Sequence, residues 1–226
     1  MGPVVDPMTY TIRSQHSSLF TRPLPVDDGF TRCYAEPLSL QPTSGGTMKL
    51  YNGALTLLLI SCCAHAATPC QTLYAEHLQT DLQLSYEAFD QTEDSGFRVL
   101  AKSGCPKEAA DLIERYVEHT HAQERSLLWH IAQLRAEDGD SAEAIRYARK
   151  VVGETEDHAR HPLRWNDYVL ATIAFLDHDK PRLILHRNRI AAASDAHPGN
   201  KLNLKLIDSL IRNFDKDYKY AVSHIQ

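Results

Sequence analysis

Apolar positions in the second half of the chain recur every three or four residues rather than every two. The clearest stretch is "LLWHIAQLRAEDGDSAEAIRYARKVV", residues 127–152. Leu128, Ile131 and Ala132, with Leu134 beside them, follow the i, i+3, i+4 spacing of one helix face. Gly139-Asp140 predicts a stop, because glycine most readily takes the left-handed conformation that ends helices. Ser141 is placed to cap a second helix, whose Ala144, Ala148 and Val151 recur at i, i+4, i+7. Small alanines on that face let two antiparallel helices approach closely. Further upstream, Tyr74, Leu78 and Leu82 repeat at i, i+4, i+8 and predict a helix over about 71–91. Runs of alternating β-branched residues are absent, so the pattern predicts an all-α fold.

The two-helix unit repeats. "AKSGCPKEAADLIERYV" places Gly104 and Ala109 where Gly139 and Ala144 stand. "YVLATIAFLDHDKPRLILHRNRIAA" places His178 and Leu183 there, and "LIRNFDKDYKYAVSHI" places Lys216 and Ala221. Successive equivalents lie 35, 39 and 38 residues apart. The unit in "GDSAEAIRYARKV" resembles a tetratricopeptide repeat, whose period is about 34 residues. Gly139 and Ala144 match that pattern; Ala148 is smaller than the usual aromatic, and Val151 stands for the usual alanine. The resemblance covers roughly residues 95–225. It implies a short right-handed stack of antiparallel helix pairs over residues 67–226, with the helix near 71–91 covering one end, as terminal elements of solenoids do. A plain stack of helical hairpins without that ancestry is the alternative.

The start of the chain has a different texture. "MKLYNGALTLLLISCCAHAATPC", Met48 to Cys70, has Lys49 before an apolar run and Ala64-His65-Ala66 after it. That is the layout of a secretory signal peptide over 48–66, cut between Ala66 and Ala67. The run is too short for a span, which needs about 20 apolar residues. A signal works only at an N-terminus, so translation is expected to begin at Met48. Residues 1–47 hold six of the eleven prolines and no sustained apolar period, a composition that cannot bury a core. They read as a non-native or disordered leader; a real tail followed by a hydrophobic anchor is the rival. Leu59-Ile60-Ser61-Cys62 also resembles a lipobox, which implies a lipid anchor at Cys62 and a membrane-anchored lipoprotein. Cutting after Ala66 instead leaves Cys70 and Cys105, an even pair suited to a disulfide in an oxidising compartment. The expected address is periplasmic or secreted, in a Gram-negative bacterium.

Composition narrows the function. The 160 residues after the cut carry 20 basic and 25 acidic side chains. A net charge of −5 argues against nucleic acid, which calls for a basic stripe, and gives no support for an anionic membrane surface. The sequence contains no G-x-S-x-G, no glycine-rich phosphate loop and no Cys/His catalytic pair, so no catalytic residue and no cofactor is assigned. His119-x-His121 with His130, and His158-x-x-His161, lack the spacing of a helical zinc site, and no metal is assigned. His119 and His121 fall near a helix end, where histidine suits the dipole.

If first helices line a groove, its residues follow i, i+3, i+7. That selects Ser126, Trp129 and Gln133 in one pair and Trp165, Tyr168 and Thr172 in the next. Tryptophan and tyrosine join a large apolar area to a polar tip and are enriched at binding hot spots; packing between adjacent pairs is the alternative use for them. The expectation is an exported, non-enzymatic interaction module that binds a protein or peptide in a helical groove. An immunity or inhibitor protein against an exported toxin, and a His-based metal-dependent enzyme, are the other readings.

Overall fold

The computed structural model describes residues 67–153 and 155–226. The expected leader over 1–47, the expected signal peptide over 48–66 and the lipobox cysteine Cys62 lie outside the described residues. The described residues fall in one compact unit and contain helices and no strand. None of their helices is long and apolar enough to cross a membrane.

Among the described residues nine α-helices follow in order: α1 Pro69–Thr80, α2 Phe97–Lys102, α3 Pro106–Thr120, α4 Arg125–Glu137, α5 Ser141–Val151, α6 Trp165–Leu176, α7 Lys180–Ala192, α8 Pro198–Arg212 and α9 Tyr218–Ser223. They pair as α2/α3, α4/α5, α6/α7 and α8/α9, and each pair packs on the next. The core runs through the stack. On α3, for example, Ala109, Leu112, Ile113 and Tyr116 are buried, at the i, i+3, i+4, i+7 spacing of a single apolar face.

The repeat seen in the sequence has a structural counterpart at each turn. Ala109, Ala144, Leu183 and Ala221 are all fully buried. Each amide donates to the carbonyl four residues back, at Cys105, Asp140, Asp179 and Asp217 respectively. Those four residues are the N-caps of α3, α5, α7 and α9. The caps of α5, α7 and α9 are aspartates, each accepting the amide three residues on. Ser141 is therefore the first residue of α5, and Asp140 is its cap: the shorter side chain one residue earlier reaches the Glu143 amide at 3.1 Å.

The turns before α3, α5 and α7 close alike. Cys105, Asp140 and Asp179 amides donate to Leu100, Arg135 and Ala174 carbonyls, and Gly104, Gly139 and His178 amides to Ala101, Ala136 and Phe175. This is the Schellman arrangement, which needs a left-handed residue at its centre. Gly104, Gly139 and His178 have φ of 77°, 88° and 56°, so His178 occupies the glycine position that the repeat assigned to it. At Gly139 a Cβ would meet nothing within 4 Å, so only the backbone conformation opposes a side chain. Gly139→Ala is expected to cost about 1 kcal/mol, read as a lower urea midpoint with an unchanged slope.

The N-terminal region departs from the expected 71–91 helix. A capping box joins Thr68 and Gln71 at the start of α1, but the helix ends at Thr80. Asp81 stops it by drawing both His77 Nδ1 and Thr80 Oγ1 to its carboxylate, each at 2.7 Å, a local side-chain competitor to helix continuation. A 3₁₀ turn, Asp81–Gln83, and a π turn, Glu87–Gln91, follow. Tyr74, Leu78 and Leu82 still pack against the core, with α1 lying on α3. Gly96 then crosses so close to the π turn that a Cβ would lie 2.1 Å from the Phe89 carbonyl oxygen.

Cys70, in the first turn of α1, is bonded to Cys105, the N-cap of α3, across 35 residues, with Cα atoms 5.5 Å apart. This is the pairing expected from cysteine parity.

Candidate functional site

The face shared by α4 and α6 carries the six residues selected from sequence, and it needs a correction. Ser126, Trp129, Gln133, Trp165, Tyr168 and Thr172 were placed on an open groove. All six are buried, none more than 8% exposed. Four of them meet. Trp129 lies edge-on to Trp165 and to Tyr168, ring centroids 5.4 Å away in both cases, and Trp165 and Tyr168 are 5.6 Å apart. The other two turn to neighbours: Ser126 Oγ hydrogen-bonds the Tyr86 hydroxyl at 2.8 Å, and Thr172 Oγ1 donates to the Tyr168 carbonyl in its own helix.

Two features flank the face. The connection between α5 and α6 is held to the first turn of α6 by Asn166, which accepts from the Gly153 amide at 2.9 Å and donates to the Gly153 carbonyl at 2.8 Å. Trp165 Nε1 donates to the Val151 carbonyl, as does the Arg125 guanidinium. Asn200, fully buried, accepts from the Arg164 amide and donates to the Pro162 and Ala193 carbonyls. The second feature is α9, which packs on α8 and returns to α4. Its Tyr218 is buried beside Tyr168, Glu137 and the Gln133 amide.

Gln133 is thus a junction. His130 Nδ1 lies 3.3 Å from its Oε1, and the Tyr168 and Tyr218 hydroxyls lie near its side chain. Beyond His130 the polar chain continues inward. His130 Nε2 is 3.1 Å from Asp90 Oδ1, and Asp90 is fully buried on the π turn. Arg98 Nε donates to the Asp90 carbonyl at 2.5 Å, and Gln91 donates to the Asp90 carboxylate. Sequence patterning missed Asp90 and Tyr218, and it weighed His130 only as a metal candidate, not as the partner of Asp90. A single acid in an irregular turn has no period to reveal it. The only available signal was Trp129-His130 at the centre of a helix otherwise buried on nearly every side.

A second buried pair lies between α6 and α7. His186 Nδ1 is 2.8 Å from Asp167 Oδ1, and Arg189 reaches the same oxygen at 3.4 Å. Burial alone would raise the carboxyl pKa of Asp167. The hydrogen bonds and charges of His186 and Arg189 outweigh it and hold Asp167 below its usual value. Asp90 is likewise lowered against its own burial, chiefly by His130. Glu137, half-buried at the end of α4, goes the other way. Burial pushes it up to about 7, with Lys219 pulling it back.

These shifts set the pH dependence. The lowered aspartates give stability that is present above the unfolded value near 3.9 and lost as pH falls through their folded values. The raised glutamate gives stability that is full below about 4.5 and lost as pH rises through about 7. Stability should therefore peak near pH 5 and decline toward pH 8. Glu137→Gln is expected to flatten the decline, adding of order 2 kcal/mol at pH 8 and about a quarter of that at pH 5. Urea midpoints at pH 5, 6.5 and 8 read this directly.

The histidines of the two sequence sets separate. His119 Nε2 lies 3.2 Å from Gln83, and His121 ends α3 at φ 55°. His130 turns inward to Asp90, and His158 sits 3.7 Å from Glu156. Among the described residues, one group of donors lies within reach of a shared ion: Cys70, Cys105 and Glu108. Its sulfurs are joined to each other, and metal coordination by cysteine requires thiolates.

The arrangement is a buried aromatic cluster with two buried Asp–His pairs, Asp90–His130 and Asp167–His186, near it. Compared with models of protein families, with curated proteins and with solved structures, the chain matches none.

Proposed function

We propose that this chain is an exported, non-enzymatic interaction module of the tetratricopeptide-like kind, which takes a protein or peptide partner on the α4/α6 face. The observation that carries the reading is the register of its hairpins. Four second helices start from N-caps placed four residues before a fully buried Ala or Leu, as repeated helix pairs built to present one continuous face would do. Trp129, Trp165 and Tyr168 are buried in the chain as it stands, so a partner reaches these residue types, favoured at interface hot spots, only when the face opens. The Cys70–Cys105 bond supports an oxidising compartment, periplasmic or secreted, reached through the signal peptide at 48–66.

The test combines address and partner. The gene is expressed in a Gram-negative host, and the exported protein is weighed intact. A species beginning at Ala67 and two hydrogens lighter than the reduced chain is expected. A photo-crosslinking residue is then placed at Glu137, at the end of α4, and in a control at Lys150 on α5. Capture of one protein from position 137 and not from 150 supports the reading. Recovery of the uncut chain in the cytoplasm removes the export half, and equal capture from both positions removes the groove half.

A further inference from the structure

In a stack of repeats each pair touches its neighbours. The last pair breaks that rule. α8 packs on α6 and α7, but α9 passes beyond the adjacent pair and packs on α4. It is six residues long and ends three residues before Gln226. Its inward face is Tyr218, Ala221 and Val222, at i, i+3, i+4, all buried. Its outward face carries Lys219 and Tyr220, both exposed.

The contacts of α9 divide into an anchor and a plug. The anchor is on α8. Ser209 Oγ donates within reach of two carbonyls, Ala221 at 2.7 Å and His224 at 3.1 Å, and Asn213 Nδ2 donates to Ser209 Oγ at 3.2 Å. The plug is Tyr218, which is buried, with its ring 6.2 Å from that of Phe175 on α6 and its hydroxyl near Gln133, Tyr168 and Glu137. The Trp129–Trp165–Tyr168 cluster stands on the same two helices, α4 and α6. A buried tyrosine ring with its hydroxyl near a buried amide joins apolar area to a polar tip, as recognition elements do.

We propose that residues 217–226 are a strap that occupies the α4/α6 face in the free protein, and that the partner for this face is a short amphipathic helix presenting the same chemistry, a tyrosine followed by small apolar residues three and four positions on. The inference rests on the interaction-module reading and names both the partner class and the step that admits it. α9 is six residues long, buries three side chains and is hydrogen-bonded to α8 through Ser209, and short elements with few buried contacts open at lower free energy than the core they cover. Helix-in-groove docking reads the same i, i+3, i+4 anchors.

The experiment uses the intact, disulfide-bonded chain. Hydrogen exchange is followed by mass spectrometry without and with a free peptide of residues 215–226 as the probe. In the chain alone, amides of 218–223 should exchange at least 100-fold faster than those of α4 and α6. The labelled peptide should bind saturably in the micromolar range, and its saturation should raise exchange at 218–223 of the protein while α4 stays protected. Tyr218→Ala within the peptide should weaken binding at least tenfold. Exchange at 218–223 as slow as in α4 would show that the helix opens only with global unfolding and would overturn the strap. A peptide that binds without releasing 218–223, or that does not bind at millimolar concentration, would overturn the partner class. A strap that passes both tests in a protein whose cross-linked partner sits away from position 137 would refute the interaction reading and leave the strap standing.

Discussion

Trp129→Ala is expected to lower the unfolding free energy by about 3–5 kcal/mol, the range for removing a large aromatic from a core. Three losses add. The indole is 5% exposed, so its removal leaves a void at the centre of the stack. Its edge contacts with Trp165 and Tyr168, both at 5.4 Å, disappear, and such pairs contribute about 0.5–1.5 kcal/mol each beyond burial. Tyr168, itself buried, loses the polar edge of the indole beside its hydroxyl, and a buried hydroxyl short of partners is costly. A urea midpoint and the near-ultraviolet dichroism of the remaining Trp165 measure the effect. A cost under about 1 kcal/mol would mean that the cluster collapses without a void and that its aromatics are dispensable to folding. Because the expected cost is high, a lost partner in this variant says nothing by itself about binding. The strap is the better probe of that question, since α9 buries three side chains, Tyr218, Ala221 and Val222, against ten on α4.

What the residue pattern made legible was the regular part of the chain. Gly104, Gly139 and His178 were aligned by spacing, and each proves to be the left-handed centre of an equivalent turn. The alignment worked at His178 despite the absent glycine, because the buried Leu183 five residues on held the register. The failures share a cause. The 71–91 helix was read from three apolar residues whose spacing survives only as far as Asp81, a side chain that captures its own neighbours. The open groove was read from helix faces α4 and α6 taken one at a time. What flanks them, α9 and the connection pinned by Asn166 and Asn200, comes from residues 13 to 38 positions distant and more than 80 for Tyr218 against Gln133. No local period encodes such contacts. The Asp90–His130 contact spans 40 residues and joins an irregular turn to a helix interior, so neither end announced the other.

Reduction of the Cys70–Cys105 bond is expected to cost about 4 kcal/mol and to lower the melting temperature by about 10 °C, from the chain-entropy account of a 35-residue loop. The closed loop is the least regular part of the described chain. It holds α1, the 3₁₀ turn, the π turn and α2, so little helix periodicity restrains its unfolded conformations, and the bond restrains them instead. The same loop positions Asp90 and Phe89, both fully buried, and Phe89 stacks on Tyr116 of α3 at 3.8 Å. Cys105 also stands where the equivalent helices use aspartate, and it caps α3 without a side-chain bond, so reduction restores no cap to offset the loss. Melting with and without a phosphine reductant measures the total, and hydrogen exchange locates it: protection should fall first in 69–102, with α4 to α7 following only at higher denaturant. Four kcal/mol is roughly a thousandfold in the folded-to-unfolded ratio, enough to make an oxidising compartment a condition of stability rather than a detail of address. If reduction leaves the melting temperature unchanged, the bond adds nothing that packing of α1 on α3 does not already supply, and the export reading loses its physical support and stands on residues 48–66 alone.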